Sequence, residues 1–295
     1  MKRVAVVLAV AWIGGSDAWA QVDPKCQEVA NAGPPDDYDA LAQQEFLLNY
    51  PALYTSFSPV HGPVPHDPGH GAIGIDFDVV PPLSCERRMQ LSWTKTEDTN
   101  KTPLIPRPRV TFAFPAIGRM VPYAGVAYIP PITLFGTTNV ILSGEVGAGF
   151  QLGELFQIGG RFHATSQKTV GDIATPIIEG DPALDDLYIA STFGLDLLTG
   201  LDIDPVTPYL ALGFTDASTF FYIGDDDKVI NNFHPYFGPS LSLGIDGLVK
   251  WFRFGAEFYA APGGHSLPDD TVESVKPASR YGYLYTGRFR VAVEL

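Results

Sequence analysis

The chain ends in YGYLYTGRFRVAVEL, residues 281–295. Every odd position is apolar, aromatic or glycine: Tyr281, Tyr283, Tyr285, Gly287, Phe289, Val291, Val293 and Leu295. The even positions between them include Thr286, Arg288, Arg290 and Glu294. A period of two is the signature of a β-strand with one greasy and one wet face. The greasy face must meet either a protein core or the acyl chains of a bilayer, and that choice decides the fold.

The same pattern recurs upstream. Residues 250–260 set Phe252, Phe254, Ala256 and Phe258 against Arg253, Gly255 and Glu257, and 187–197 set Leu187, Ile189, Phe193, Leu195 and Leu197 against Tyr188, Thr192, Gly194 and Asp196. Residues 155–165 oppose Phe156, Ile158 and Phe162 to Gln157, Arg161 and His163, and 140–150 oppose Leu142, Val146 and Phe150 to Ser143, Glu145 and Gly147. In IGIDFDV, Ile73, Ile75 and Phe77 face away from Asp76 and Asp78. The second face is small, polar or charged throughout.

A soluble sandwich also alternates, so the links between strands carry the decision. From the C-terminus backwards, the long links 261–280, 224–234, 166–186, 130–139 and 95–106 alternate with the mostly short links 246–249, 198–207, 151–154 and 115–119. Long outer loops and tight inner turns in strict phase belong to a membrane barrel. The reading is an all-β, antiparallel transmembrane β-barrel of twelve strands, with ten as the alternative. The ten-strand count runs from 88–94 to 281–295, and the larger count adds 72–79 and a strand in LYTSFSPV, which places HGPVPHDPGHG in an external loop.

Residues 1–20 have a basic start at Lys2 and Arg3, an apolar run from Val4 to Ile13 and Ala18-Trp19-Ala20 before the expected cleavage point. This is the layout of a secretory signal peptide, too short to span a bilayer. Residues 21–52 form an N-terminal periplasmic or plug segment in which DDYDALAQQEFLL has helical spacing ahead of Pro51, and 53–295 form the barrel. The whole chain carries a net charge of −14, and loss of Lys2, Arg3 and Asp17 with the signal makes it −15. That balance excludes nucleic acid as a partner.

Cys26 and Cys85 are the two cysteines of an exported chain and read as one structural disulfide. On the twelve-strand count Cys85 lies in a periplasmic turn and Cys26 in the periplasmic segment.

With these strands in place, the signal peptide and roughly residues 70–295 resemble Gram-negative outer-membrane β-barrel proteins. A fainter likeness is to the long-chain fatty-acid transporter family, whose N-terminal hatch carries an Asn-Pro-Ala signature. Here Asn49-Tyr50-Pro51-Ala52 has one residue interposed. The resemblance implies export to the cell outer membrane, contact with outer-membrane lipids, insertion by the barrel-assembly machinery and passage of a small solute.

Twelve side chains are expected to line the lumen: Asp76, Asp78, Arg109, Glu145, Arg161, His163, Asp196, Arg253, Glu257, Arg288, Arg290 and Glu294. Charges of both signs around a water-filled lumen would set solute selectivity, whereas mutual pairing would fill it, and both readings stand. The cluster of His61, His66, Asp67 and His70 offers imidazole and carboxylate ligands for zinc or copper, but its prolines and glycines suit an ordinary loop. Acidic stretches at 181–186, 224–228 and 268–270 lack an EF-hand spacing and read as solvated loops. No histidine has the serine and orienting partner of a lipid-modifying enzyme, so the expected function is a narrow channel or passive transporter without cofactor or catalysis. A structural or surface-interaction barrel is the alternative.

Overall fold

The computed structural model describes residues 26–36, 38–90, 93–97, 103–134, 136–176, 185–224, 227–232, 235–262 and 284–295. The signal peptide and most of the three acidic loops lie outside these residues. Ten strands form the wall: β1 (Gly71–Val79), β2 (Leu104–Ala113), β3 (Met120–Leu134), β4 (Thr137–Leu152), β5 (Phe156–Gly171), β6 (Asp186–Leu201), β7 (Val206–Ile223), β8 (Tyr236–Val249), β9 (Phe252–Ala261) and β10 (Leu284–Glu294). Each pairs antiparallel with its chain neighbours, and β10 pairs with β1 from Glu294↔Ala72 to Arg288↔Asp78, which closes the ring. Closure leaves the wall no free edge strand. The short strand Lys228–Asn231 lies outside the ring and pairs with the end of β7.

The opening strand has the parity read from it. Phe289 and Val291 point outward and are 48% and 47% exposed, while Arg288 and Arg290 point inward and are buried. Neighbouring strands repeat the division, so large apolar side chains clothe the outside and charged ones the inside. The outer belt has an upper limit. Ser166, Ser191 and Ser218 are register neighbours on the outer faces of β5, β6 and β7, and below them the outer face of β6 runs from Phe193 to Leu201. That is about nine residues, the length a tilted strand needs to cross a bilayer's hydrocarbon. Polar inside and apolar outside is the reverse of a soluble core.

The count is ten, as in the smaller alternative, but its first strand is Gly71–Val79 and not 88–94, and LYTSFSPV is not wall either. Leu53 and Tyr54 end a helix, and Thr55–Ser58 are buried on every side, so their alternation of large and small residues carries no facing information. The described residues of 88–94 lie outside the wall. Cys85–Arg88 form a helical turn, and Met89–Gln90, Lys95–Glu97 and Ala174–Pro176 make a separate three-stranded sheet.

One end of the barrel carries the short connections 114–119, 153–155, 202–205 and 250–251 together with both ends of the wall, where Leu295 N–H donates to Gly71 O at 2.7 Å. This is the turn end. At the opposite, loop end the wall strands leave off at Val79, Gly171, Ile223 and Ala261 and resume at Leu104, Asp186, Tyr236 and Leu284. The link expected to be long at 130–139 is short, because β3 runs on past a register shift between Ile129 and Ile132 until Leu134 pairs with Thr137.

The β2–β3 seam is short for a reason legible in the prolines. Phe114 N–H donates to Pro122 O at 2.8 Å and Ala113 N–H to His70 O at 2.9 Å, so even-numbered β2 amides face β3 and odd-numbered ones face β1. Pro106 and Pro108 are even-numbered and have no N–H to give. Pairing with β3 accordingly spans Arg109↔Ala127 to Ala113↔Tyr123, while pairing with β1 continues to Leu104. Val80, Ile105, Ile129 and Ile141 pack behind the unpaired stretch and close it with side chains.

The N-terminal segment occupies the interior. Helix α1 (Gln27–Ala32) and helix α2 (Ala40–Tyr54) lie at the loop end, and residues 55–70 descend through the lumen to β1 at the turn end. Asp39 caps α2 by accepting from Ala42 N at 3.0 Å. The helix continues one turn beyond Pro51 and is closed by Thr55, whose Oγ1 donates to Pro51 O at 2.7 Å. The expected disulfide is present, Cys26–Cys85. Cys85 lies in the loop between β1 and β2, at the loop end, not in a turn at the end where the wall terminates.

Candidate functional site: the plugged lumen

The interior begins with the parity of the strands. Because side chains alternate, inward residues are two apart along a strand and lie beside inward residues of the neighbouring strands. Register rows bring Arg107, Asp76 and Arg290 side by side, and Asp78, Arg288 and Glu257 in the next row. Hydrogen bonds then link the rows. Asp76 accepts from Arg290 Nε at 2.8 Å and from Arg109 Nη1 at 2.9 Å, and Asp78 accepts from Arg107 with Arg288 Nε 3.6 Å away.

Glu145 is the hub across the lumen. It accepts from Arg109 and from Arg161 Nη1 at 2.8 Å, and His61 Nε2 lies 3.4 Å from it. Arg161 Nε donates to Asp196 at 2.9 Å, and His163 Nε2 is 3.5 Å from the same carboxylate. Near the turn end Arg253 Nε donates to Glu294 at 3.0 Å, and His66 Nδ1 lies 2.9 Å from Glu294. Glu257 accepts from Val60 N–H at 3.1 Å and from Tyr209 OH at 2.8 Å. All twelve side chains named from the sequence take part in these contacts.

The wall arginines also hold the plug by its backbone. Arg107 Nη2 donates to Thr55 O at 2.8 Å, Arg161 Nη2 to Phe57 O, Arg109 Nη1 to Ser58 O at 3.0 Å and Arg288 Nη2 to Leu53 O at 3.3 Å. The Arg109 guanidinium lies 4.0 Å over the Phe57 ring and the Arg288 guanidinium 4.0 Å over Tyr259, both within cation–π range. Lower down, the extended chain passes so close to the wall that glycine is required. A Cβ on Gly149 would collide with the Pro63 backbone, and one on Gly255 would press on Val60. Among the described residues the lumen is occupied by the plug and by inward side chains of the wall.

Arg107, Asp246 and Tyr209 belong to the network and were not singled out from the sequence. Arg107 has the parity of Arg109 and pairs with Asp78, and Asp246 continues the inward series of Ser240 and Ser242 to meet Arg253. Extending each strand's parity by one residue would have found both. The histidine cluster is placed differently from expectation. His61 and His66 are buried inside the barrel against different walls, His66 Nε2 lying 2.6 Å from Thr111 Oγ1, while Asp67 and His70 are exposed at the turn end. Among the described residues no three His, Cys, Asp or Glu side chains are grouped to hold a metal.

The mouth is apolar. Leu48, Tyr50, Ala52 and Leu53 of α2 pack against Tyr188, Phe221, Ile223, Tyr236 and Tyr259 of the wall. In the stretch that carries the faint hatch likeness, Asn49 Oδ1 accepts from Asn232 Nδ2 at 2.8 Å and from Tyr236 N–H at 3.2 Å. Above the apolar belt, Asp186 ties loops together by accepting from the N–H groups of Ile173 (3.0 Å), Ala174 (2.7 Å) and Gly224 (3.0 Å). Burial pushes its carboxyl up to about 6 despite those three donors.

No family model matches the sequence, and no curated protein is detectably similar to it. Solved structures share the barrel architecture at low similarity. The translocator domain of the autotransporter NalP from Neisseria meningitidis aligns with a TM-score of 0.44 at 11% identity, covering 78% of this chain and 88% of that one. The Pseudomonas putida toluene transporter TodX aligns at 0.34 and 12%, covering 79% and 70%, and a Pseudomonas aeruginosa FadL homologue at 0.24 and 9%, covering 77% and 88%. At these levels nothing that those proteins carry transfers to this chain.

Proposed function

We propose that this chain spans the outer membrane as a closed conduit for a small polar solute, with residues 55–66 as its gate. The observation that carries the reading is the way the gate is held. Arg107, Arg109 and Arg161 bind main-chain carbonyls of Thr55, Ser58 and Phe57, polar contacts that water can replace when the segment moves. A wall built only to be filled would do as well with apolar side chains. This one is charged from Asp78 to Glu294 and would hydrate once emptied.

In this orientation the turn end faces the periplasm, the long loops and the Cys26–Cys85 bridge face outward, and the signal peptide directs export. Acyl chains cover the belt, the barrel-assembly machinery inserts it, and no catalytic role is assigned. The test is planar-bilayer conductance of the mature chain beside a variant lacking residues 21–66, with heat-modifiable gel migration to show that both barrels fold. The expected result is low or intermittent conductance in the first and a steady open state in the second. A folded variant that fails to conduct contradicts the reading and favours a structural or surface-interaction barrel.

A further inference from the structure

Most inward charges meet one another or the plug. Arg290 does so incompletely. Its Nε donates to Asp76, yet Nη1 and Nη2, in a residue 2% exposed, have no acceptor among the described residues. Arg288, buried two positions away, leaves Nη1 without one, and the hydroxyl of Ser58 on the plug is likewise buried and unpartnered. The lumen-facing neighbours of Arg290 are small. Gly255 stands beside it on β9 under Val60 of the plug, and Ala292, paired with Gly74, stands toward the turn end.

Charge sharing deepens the imbalance. Asp76 is divided between Arg290 and Arg109, and Glu145 beyond it is divided between Arg109 and Arg161. No second carboxylate reaches the Nη pair of Arg290, a planar fork shaped for a two-point acceptor. The one unpartnered acceptor on β9, Glu257 Oε1, belongs to the row of Arg288. Water at the Arg290 fork would bring two O–H groups of its own into a corner where the free groups are chiefly donors. An anion brings none.

We propose that the Nη fork of Arg290 binds a small inorganic monovalent anion of chloride size where β10 faces the plug at Val60. The anion completes the hydrogen bonding of Arg290 and joins the plug to β10. Its binding does not depend on the conduit reading, and it stabilises the plugged state.

The test uses the full mature chain in detergent. Thermal unfolding is followed by gel migration while chloride replaces gluconate at constant ionic strength. The midpoint should rise saturably with chloride in the wild type and be indifferent to it in Arg290→Gln. Chlorine-35 line broadening by the wild-type protein, reversed by bromide, gives a second readout that needs no variant. A wild-type midpoint blind to the identity of the anion, without line broadening, overturns the proposal in favour of water, and an Arg290→Gln response equal to wild type places the effect elsewhere. Both readouts are taken without a voltage or bilayer, so their failure is distinct from a failure to conduct.

Discussion

The loop-end and turn-end halves of the lumen are closed by different chemistry. At the loop end a helix buries Leu48, Tyr50 and Leu53 against aromatic wall residues, an interior like that of a soluble protein. At the turn end an extended chain is held by arginines and carboxylates that bond to one another and to its carbonyls. The difference follows from what each half must seal. The mouth is filled by a helix with its apolar surface, whereas below it the plug is an extended strip bordered by glycines. Apolar packing gains from burial itself. An ion network gains only while every member is partnered, so it holds one geometry and fails together.

The largest expected effect is therefore in the lower half. Glu145→Ala leaves Arg109 and Arg161 buried without their shared carboxylate, at a cost of about 3–5 kcal/mol. Urea titration of the detergent-folded protein should show it, and a loss below that of a mouth truncation would break the contrast between the halves. Next is the bridge that ties α1 to the first loop. Closing a separation of 59 residues contributes on the order of 4 kcal/mol by chain entropy, so a Cys26→Ser, Cys85→Ser double variant should unfold earlier by a comparable amount. Mass spectrometry finding two free thiols in protein from intact cells would remove the basis of that expectation. Leu53→Ala at the mouth should cost about 3 kcal/mol and loosen α2 while leaving strand exchange slow in the lower wall.

The smallest effect is at Asp186. Its folded carboxyl lies above its ordinary value of 3.8, so its favourable contribution is complete below about pH 3.8 and is lost as pH rises through about 6. Amide exchange at Ala174 and Gly224 should be better protected at pH 5 than at pH 7, after correction for intrinsic rate. Asp186→Asn should flatten that difference, and an unchanged difference would assign it to another group.

Much of this contrast could be read from the sequence, because a strand's parity depends on local order alone. Arg288 and Glu257 face inward for the same reason that Phe289 and Phe258 face out. What parity cannot register is a segment surrounded on all sides. Residues 53–63 are surrounded mostly by protein, so His61 and the serines at 56 and 58 give no facing signal, and local order alone reads them as a strand and an outer loop. The misplaced Cys85 follows from taking 88–94 as wall, since a strand there would put the link 80–87 at the turn end. The β2 prolines were visible, but their effect depends on which neighbour each missing amide faces, and only the register supplies that.

The central claim is that the outer face meets lipid while the inner face meets the plug. A nitroxide on Val291→Cys tests it most directly, because Val291 lies mid-belt between Phe289 and Val293. In reconstituted protein the label should collide readily with lipid-soluble oxygen and be shielded from a water-soluble nickel reagent. Exclusion of both reagents would mean that the greasy face of the last strand packs against protein, and the membrane barrel would be contradicted.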